Sequence, residues 1–144
     1  MKKIIFLIVF LNIISCRRNL DPKVVKQVEY ISQLSCIVPY SINNSSDYID
    51  LMKVSTNDDL IYLIKNENYY VRYFAFIGLL DRKHPKIKEL YNSIKNDSST
   101  IYISNGACLR NWYPANLLMK DAMSNESKYS IVFKNNIYHD LVFK

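Results

Sequence analysis

The sequence predicts an all-α fold built from antiparallel helix pairs. Apolar residues recur with the 3.6-residue period of amphipathic helices over much of the chain. The 144 residues include only two glycines and four prolines, too few turn residues for a many-turned β-sandwich. A helix-pair pattern also repeats after about 30 residues, which is typical of a short α-solenoid. The length is that of a single domain.

Residues 1–15 have the form of a signal peptide, with Lys2 and Lys3 before an apolar run at 4–14. As a helix this run spans about 16 Å, against about 30 Å of hydrocarbon, so it is too short to cross a membrane. The sequence Ile13-Ile14-Ser15-Cys16 that ends it resembles the bacterial lipobox. The resemblance implies cleavage before Cys16 and attachment of acyl chains, palmitate among them, to that cysteine. An ordinary signal peptide with a chance cysteine is the alternative.

The lipobox also implies a location in the bacterial cell envelope, at the outer membrane on its periplasmic or surface side. Loss of residues 1–15 removes two lysines, so the formal charge falls from +6 to +4. Residues 16–20 then form a tether in which Arg17 and Arg18 lie beside the anchor, near anionic head groups. The predicted partners are therefore the membrane, through the acyl chains on Cys16, and a protein; nucleic acid is not expected.

A helical domain is predicted for residues 21–125. Its first helix begins at Asp21-Pro22, an N-cap followed by proline at the first helical position. This helix stops before Pro39, because the residue that precedes a proline avoids the α region. A short second helix is expected to open after Ser46.

The strongest pattern is a helix pair at about 56–84. Thr56 or Asn57 caps its first helix, and residues 66–68 break it. The second helix is predicted from about Tyr69 to Arg82, with Gly78 on its core side, where a small residue lets a neighbouring helix approach closely. The core stripe comprises Val71, Phe74, Ala75, Gly78 and Leu79.

A second, weaker copy of this pair is predicted at 85–111. It comprises a helix at 85–95 and a second one from about Ser99 to Asn111. Asn105 stands where the first copy has an alanine, and Gly106 falls in mid-helix. The copy is thus either a capping repeat or one whose second helix is broken. Residues 115–123 have helical composition, and the tail at 126–144 is predicted to be a helix or a hairpin.

The first copy resembles a HEAT-type repeat of the short, phycobilisome-lyase-like kind. The signature residues are Asn66, Val71, Arg72, Ala75 and Leu79. The sequence from Val71 to Phe76 is similar to that of small lipoproteins of Bacteroidetes type, whose role is unassigned. This resemblance implies a HEAT-like, non-catalytic protein-interaction module. An immunity-like or inhibitor lipoprotein that blocks a partner enzyme is the alternative.

Two side-chain groups carry specific expectations. Arg72 is predicted to brace the fold by binding Asp97 or Glu67, since a planar guanidinium suits bidentate bridging. Twelve tyrosines are present, and some lie off the core stripe. They form either a protein-binding face or a set of boundary residues that pack at the edge of a helical layer. The candidate face comprises Tyr62, Tyr69 and Tyr73.

Nothing in the sequence points positively to catalysis. His84 and His139 lack a partner four residues away, so no zinc motif is present and no metal or cofactor is expected. The protein is therefore predicted not to be an enzyme; a hydrolase with Cys108, His139 and Asp140 in one pocket is the competing hypothesis. Cys36 and Cys108 either pair as a disulfide or remain buried thiols.

Overall fold

Six helices and two strands make up the part of the chain that the computed structural model describes, residues 19–37, 45–104 and 110–124. The fold is mostly helical, with a small two-stranded sheet. The elements are α1 (Pro22–Ser32), α2 (Ser46–Val54), α3 (Asn57–Leu63), α4 (Tyr69–Asp81), α5 (Ile87–Ile94), β1 (Thr100–Ser104), β2 (Arg110–Pro114) and α6 (Ala115–Ser124). Cys16, Cys108 and the tail at 126–144 lie outside these ranges. Within them, no helix is both long enough and apolar enough to span a membrane.

The first helix begins as the sequence predicts. Asp21 is the N-cap of α1 and its carboxylate accepts a hydrogen bond from the backbone N–H of Lys23 at 2.8 Å, with Pro22 in the first turn. The helix ends at Ser32, well before Pro39. The second helix, α2, begins at Ser46 and buries Tyr48 and Leu51, so the short helix expected after Ser46 is also present.

The predicted helix pair is α3 and α4. Thr56 caps α3 through a capping box, in which its hydroxyl accepts from the N–H of Asp59 and the carboxylate of Asp59 accepts from the N–H of Thr56. Asn68 caps α4 by accepting from the N–H groups of Tyr70 and Val71. These two caps fix where each helix begins, because they satisfy N–H groups that have no partner inside the helix.

Helix α4 is the centre of the fold and contacts α1, α3, α5, α6 and β1. Its residues from 73 to 79 are all buried, so it is covered by protein on every side. Gly78 leaves room here for side chains of α2 and α3. A methyl group there would lie 2.5 Å from Sδ of Met52 on α2 and 3.1 Å from Cδ1 of Leu60 on α3. These atoms are the ends of side chains, so Gly78 gives neighbouring side chains room on the core side of α4.

The predicted second helix of the second copy is wrong. Residues 100–104 and 110–114 are the antiparallel strands β1 and β2, in a register that places Tyr102 opposite Trp112. The segment Thr100-Ile101-Tyr102-Ile103-Ser104 alternates in burial, with Ile101 and Ile103 inward, because its side chains point to opposite faces in turn. The fold is therefore not all-α, and the second copy is a helix followed by strands.

The remaining elements close the core around the hairpin. Ile37 forms a parallel bridge with Ile103, so the chain after α1 adds to the open side of β1. Helix α5 shields the core with half-buried residues and has no fully buried one. Helix α6 follows β2 directly and buries Ala115, Leu118 and Met119, which confirms the helix predicted at 115–123.

Candidate interaction surface

Arg72, in the first turn of α4, joins the helix pair to the hairpin that follows it. Its Nε donates to Oδ2 of Asp97 at 2.7 Å, and one terminal nitrogen donates to Oγ of Ser99 at 2.7 Å. The other terminal nitrogen donates to the backbone carbonyls of Asn66 and Glu67, at 2.7 and 2.8 Å. All three guanidinium nitrogens are thus used, and the predicted partner Asp97 is the one that carries the charge contact.

The ion pair between Arg72 and Asp97 is largely shielded from solvent, since the two side chains are 14% and 13% exposed. Burial by itself raises the pKa of Asp97. Hydrogen bonds from the side chain and backbone of Ser99, followed by the hydrogen bond and charge of Arg72, outweigh this effect, so the pKa lies below its ordinary value. Asp97 is therefore ionised in the folded protein at neutral pH.

Arg82 braces the other end of α4. Its two terminal nitrogens donate to Oδ1 of Asn57 at 2.9 Å and to the carbonyls of Met52 and Ser55 at 2.8 and 3.0 Å. These contacts tie α4 to the turn between α2 and α3. The sequence pattern predicts only that Arg82 lies in the last helical turn. The carbonyls that it binds belong to residues about 30 positions earlier, which no local pattern indicates.

The three candidate tyrosines do not form one exposed face. Tyr62 on α3 is 43% exposed and Tyr69 at the start of α4 is half-buried. Tyr73 is buried, so its assignment to the candidate face is wrong. The periodic core stripe misses Tyr73 because α4 is covered all round. The surface that remains consists of Tyr62 and Tyr69, which flank the α3–α4 turn and are called here the turn surface.

Two further tyrosines are anchored inside the protein, Tyr70 beside this surface and Tyr48 near the opposite end of α4. The ring of Tyr69 lies against that of buried Tyr70, with centroids 4.5 Å apart. The Tyr70 hydroxyl accepts from the backbone N–H of Tyr102 at 3.4 Å, and burial raises the pKa of Tyr70 to about 12. Tyr48 on α2 donates a hydrogen bond to the carboxylate of Asp81 at the end of α4. Tyrosine is thus used here as a core residue with a polar tip.

The HEAT signature residues occupy structural positions in the first pair. Val71, Ala75 and Leu79 are buried. The side-chain oxygen of Asn66 accepts from the N–H of Asn68 at 2.9 Å and so shapes the turn. With Arg72, these residues lie in the core or at the turn between α3 and α4.

The candidate histidines and cysteines lie partly within and partly outside the residues that the structure describes. Among residues 19–37, 45–104 and 110–124, no three His, Cys, Asp or Glu side chains lie close enough to hold a metal ion. Nδ1 of His84 accepts from the N–H of Lys86 at 3.3 Å, at the turn into α5. Cys36 is a half-buried free thiol. Cys108, His139 and Asp140 lie outside the described residues.

Comparison with family models, with curated proteins and with solved structures finds no match to this chain. The resemblance to HEAT-type lipoproteins therefore stays a prediction that depends on the sequence motif.

Proposed function

We propose that this protein is a lipid-anchored, non-catalytic protein-interaction module of the bacterial cell envelope, with one HEAT-like helix pair, α3–α4, as its scaffold. The lipid anchor is proposed because Ile13-Ile14-Ser15-Cys16 resembles a lipobox, and the acyl chains would be attached to Cys16. Two or more acyl chains meet the requirement for stable membrane attachment. The partner is proposed to be a protein that binds the turn surface.

The observation that carries the interaction role is the exposure of Tyr62 on a helix whose position is fixed. A tyrosine supplies a large contact area at a low entropy cost when its backbone is rigid. Helix α3 is held at its N-terminal end by its capping box, and Arg72 holds the carbonyls of Asn66 and Glu67 in the turn that follows the helix. The turn surface is therefore presented in a single arrangement, which lowers the cost of binding.

A photo-crosslinking experiment in the envelope tests the interaction role. A photoreactive phenylalanine analogue at Tyr62 is expected to capture a discrete protein band that can be identified by mass spectrometry. The matched control is the same analogue at Tyr30 on α1, because Tyr30 is 48% exposed and Tyr62 43%. Equal capture at both positions, or none at Tyr62, would count against the turn surface as the binding site.

Cys16→Ala tests the anchor separately. The variant is expected to lose labelling by a palmitate analogue and to leave the membrane fraction. A Cys36→Ala variant is the matched control and should keep both properties. Retention of the Cys16→Ala protein in washed membranes would refute the lipid anchor while leaving the crosslinking result intact.

A further inference from the structure

Strand β2 presents an open backbone edge. The N–H of Ala115 donates to the carbonyl of Ser99 at 2.8 Å, and these two residues continue the β1–β2 register by one position. Opposed residues of an antiparallel pair alternate between hydrogen-bonded and non-hydrogen-bonded positions. Trp112, which lies opposite Tyr102 three positions further along, is therefore at a non-hydrogen-bonded position. Its N–H and C=O point away from β1, towards the open side of β2.

The other edge of the sheet is already occupied. The N–H of Ile37 donates to the carbonyl of Tyr102 at 2.8 Å, and the N–H of Ser104 donates to the carbonyl of Ile37 at 2.9 Å. The N–H of Tyr102 donates to the hydroxyl of Tyr70 at 3.4 Å. In the described part of the chain, by contrast, β1 is the only strand that pairs with β2. A further strand can therefore join this sheet at β2.

An aromatic pair lies beside the open edge. Tyr102 and Trp112 are direct partners in the register, so their side chains lie side by side on the same face of the sheet. Trp112 is 67% exposed and Tyr102 41% exposed. Tyr113, next to Trp112 in the strand, is buried on the opposite face. The face defined by Tyr102 and Trp112 is called here the aromatic face.

We propose that a second copy of this chain occupies the open edge, with β2 of one copy antiparallel to β2 of the other about a twofold axis at Trp112. Residues 110–114 of one copy then lie opposite residues 114–110 of the other, so the whole strand is paired. The N–H of each Trp112 donates to the carbonyl of the other Trp112. The contact goes beyond the proposed function and does not depend on the lipid anchor or on the turn surface.

The ends of β2 fit this register. The N–H of each Arg110 donates to the carbonyl of Pro114 in the second copy. Proline has no N–H and is tolerated at the ends of edge strands, so the added ladder stops at Pro114. Arg110 is the one charged residue of β2, and it lies opposite a proline and not opposite the other Arg110. The strand therefore pairs with itself without opposing like charges.

The side chains favour the same arrangement. Trp112 of one copy becomes the neighbour of Trp112 of the second copy, with a Tyr102 on the outer side of each. The two aromatic faces join into one row across the sheet, and aromatic neighbours on adjacent strands stabilise a sheet. The same five residues supply both halves of the interface, as a twofold contact requires. An interface of one short strand from each copy falls below about 1,200 Å², so a dissociation constant in the micromolar range is expected.

Sedimentation velocity of the full chain tests the association. The protein is held in a non-ionic detergent with micelles in large excess, and its concentration is varied through the micromolar range. Trp112→Thr keeps the backbone N–H and removes the aromatic side chain, so it should weaken the dimer about tenfold or more. Tyr30→Thr is the matched control, because Tyr30 on α1 is a 48% exposed aromatic residue outside the sheet. It should associate as the wild type does.

Disulfide trapping tests the register independently. The background Cys36→Ser/Cys108→Ser removes two native thiols, and Trp112→Cys is added to it. Residue 112 faces itself across the axis with its Cα atoms about 5.5 Å apart, within the range of a disulfide, so oxidation should trap the dimer. Asn111→Cys in the same background is the control. Residue 111 lies opposite residue 113 of the second copy, so its Cα atoms are more than about 7 Å apart and should not be bridged.

Three outcomes would overturn the proposal. The first is a wild-type protein that stays monomeric at every concentration. The second is a dimer that Trp112→Thr leaves as stable as the wild type, which would place the contact on another surface. The third is equal trapping at positions 111 and 112, which would indicate random collision or a different register.

Discussion

Replacement of Arg72 by alanine is the most informative test of how this fold is held together. The substitution removes the guanidinium that binds the Asp97 carboxylate, the Ser99 hydroxyl and the carbonyls of Asn66 and Glu67. Each of these four groups then lacks the hydrogen bond that it accepts from Arg72. The α3–α4 turn and the segment that leads into β1 then lose their common connection.

The magnitude follows from the shielding of the ion pair. Removing one partner of a buried pair costs about 3–5 kcal/mol, because the remaining charge is left uncompensated. Asp97 is 13% exposed and keeps its bonds from Ser99, so the lower end, about 3 kcal/mol, is expected. For a domain of this size, that loss lowers the melting temperature by about 15 °C.

Thermal unfolding followed by circular dichroism measures the effect. Arg72→Lys should lie between the wild type and Arg72→Ala, because an ammonium keeps the charge without the planar fork. A cycle with Asp97→Ala should give a coupling free energy of about 1–3 kcal/mol between the two side chains. A melting temperature for Arg72→Ala within about 2 °C of the wild type would refute the bracing role, since that shift corresponds to well under 1 kcal/mol.

The remaining predictions concern single packing or titration events. Gly78→Ala should change the free energy of unfolding by less than about 1 kcal/mol, because the gain in helix propensity is offset by displacement of the Met52 side chain. Gly78→Val adds a larger side chain at the same place and should lower the free energy of unfolding by about 2–3 kcal/mol in urea titrations. Asn68→Ala should cost about 1–2 kcal/mol in the same assay through loss of the α4 cap. Stability should fall as the pH rises from 10 towards 12, because the unfolded chain loses the Tyr70 proton first, and Tyr70→Phe should flatten this limb. The pKa of Asp97 is lowered in the folded protein, so Asp97 stabilises the fold at pH values above about 3.9, the pKa of aspartate in the unfolded chain. This contribution is lost as acid protonates the folded group. The fall in stability at acid pH should therefore be less steep in Asp97→Asn.

The helices could be predicted because their ends are encoded locally. Asp21-Pro22, Thr56 with Asp59, and Asn68 each satisfy backbone N–H groups within three residues of the helix start. The chain therefore shows where these helices begin without reference to tertiary contacts. The extent of burial around α4 was harder to predict, because Tyr73 lies off the apolar stripe and is nevertheless buried.

The hairpin was missed although a local signal for it exists. In Thr100 to Ser104, isoleucines alternate with more polar residues and four of the five residues are β-branched or aromatic, which favours a strand. The alignment of this segment with α4 matched Ile101 to Val71 and favoured a helix instead. Matching apolar residues at a 30-residue offset does not distinguish the two structures, because one face of a strand and one side of a helix can both supply them.

The candidate site was predictable in part. The place of Arg72 near the start of α4 predicted a bond to Asp97 or Glu67, and the structure shows the bond to the Asp97 carboxylate. The contacts of Arg82 with the α2–α3 turn and the pairing of Tyr102 with Trp112 depend on which segments meet in space, which the sequence pattern leaves open. Exposure of Tyr62 was compatible with its place on the outer side of α3.

The central position of α4 has a consequence for how the molecule opens. Its backbone amides lie beneath α1, α3, α5 and α6, and its two ends are clamped by Arg72 and Arg82. Hydrogen exchange at residues 74–77 should therefore require global unfolding, whereas α5, which has no buried residue, should exchange through local opening.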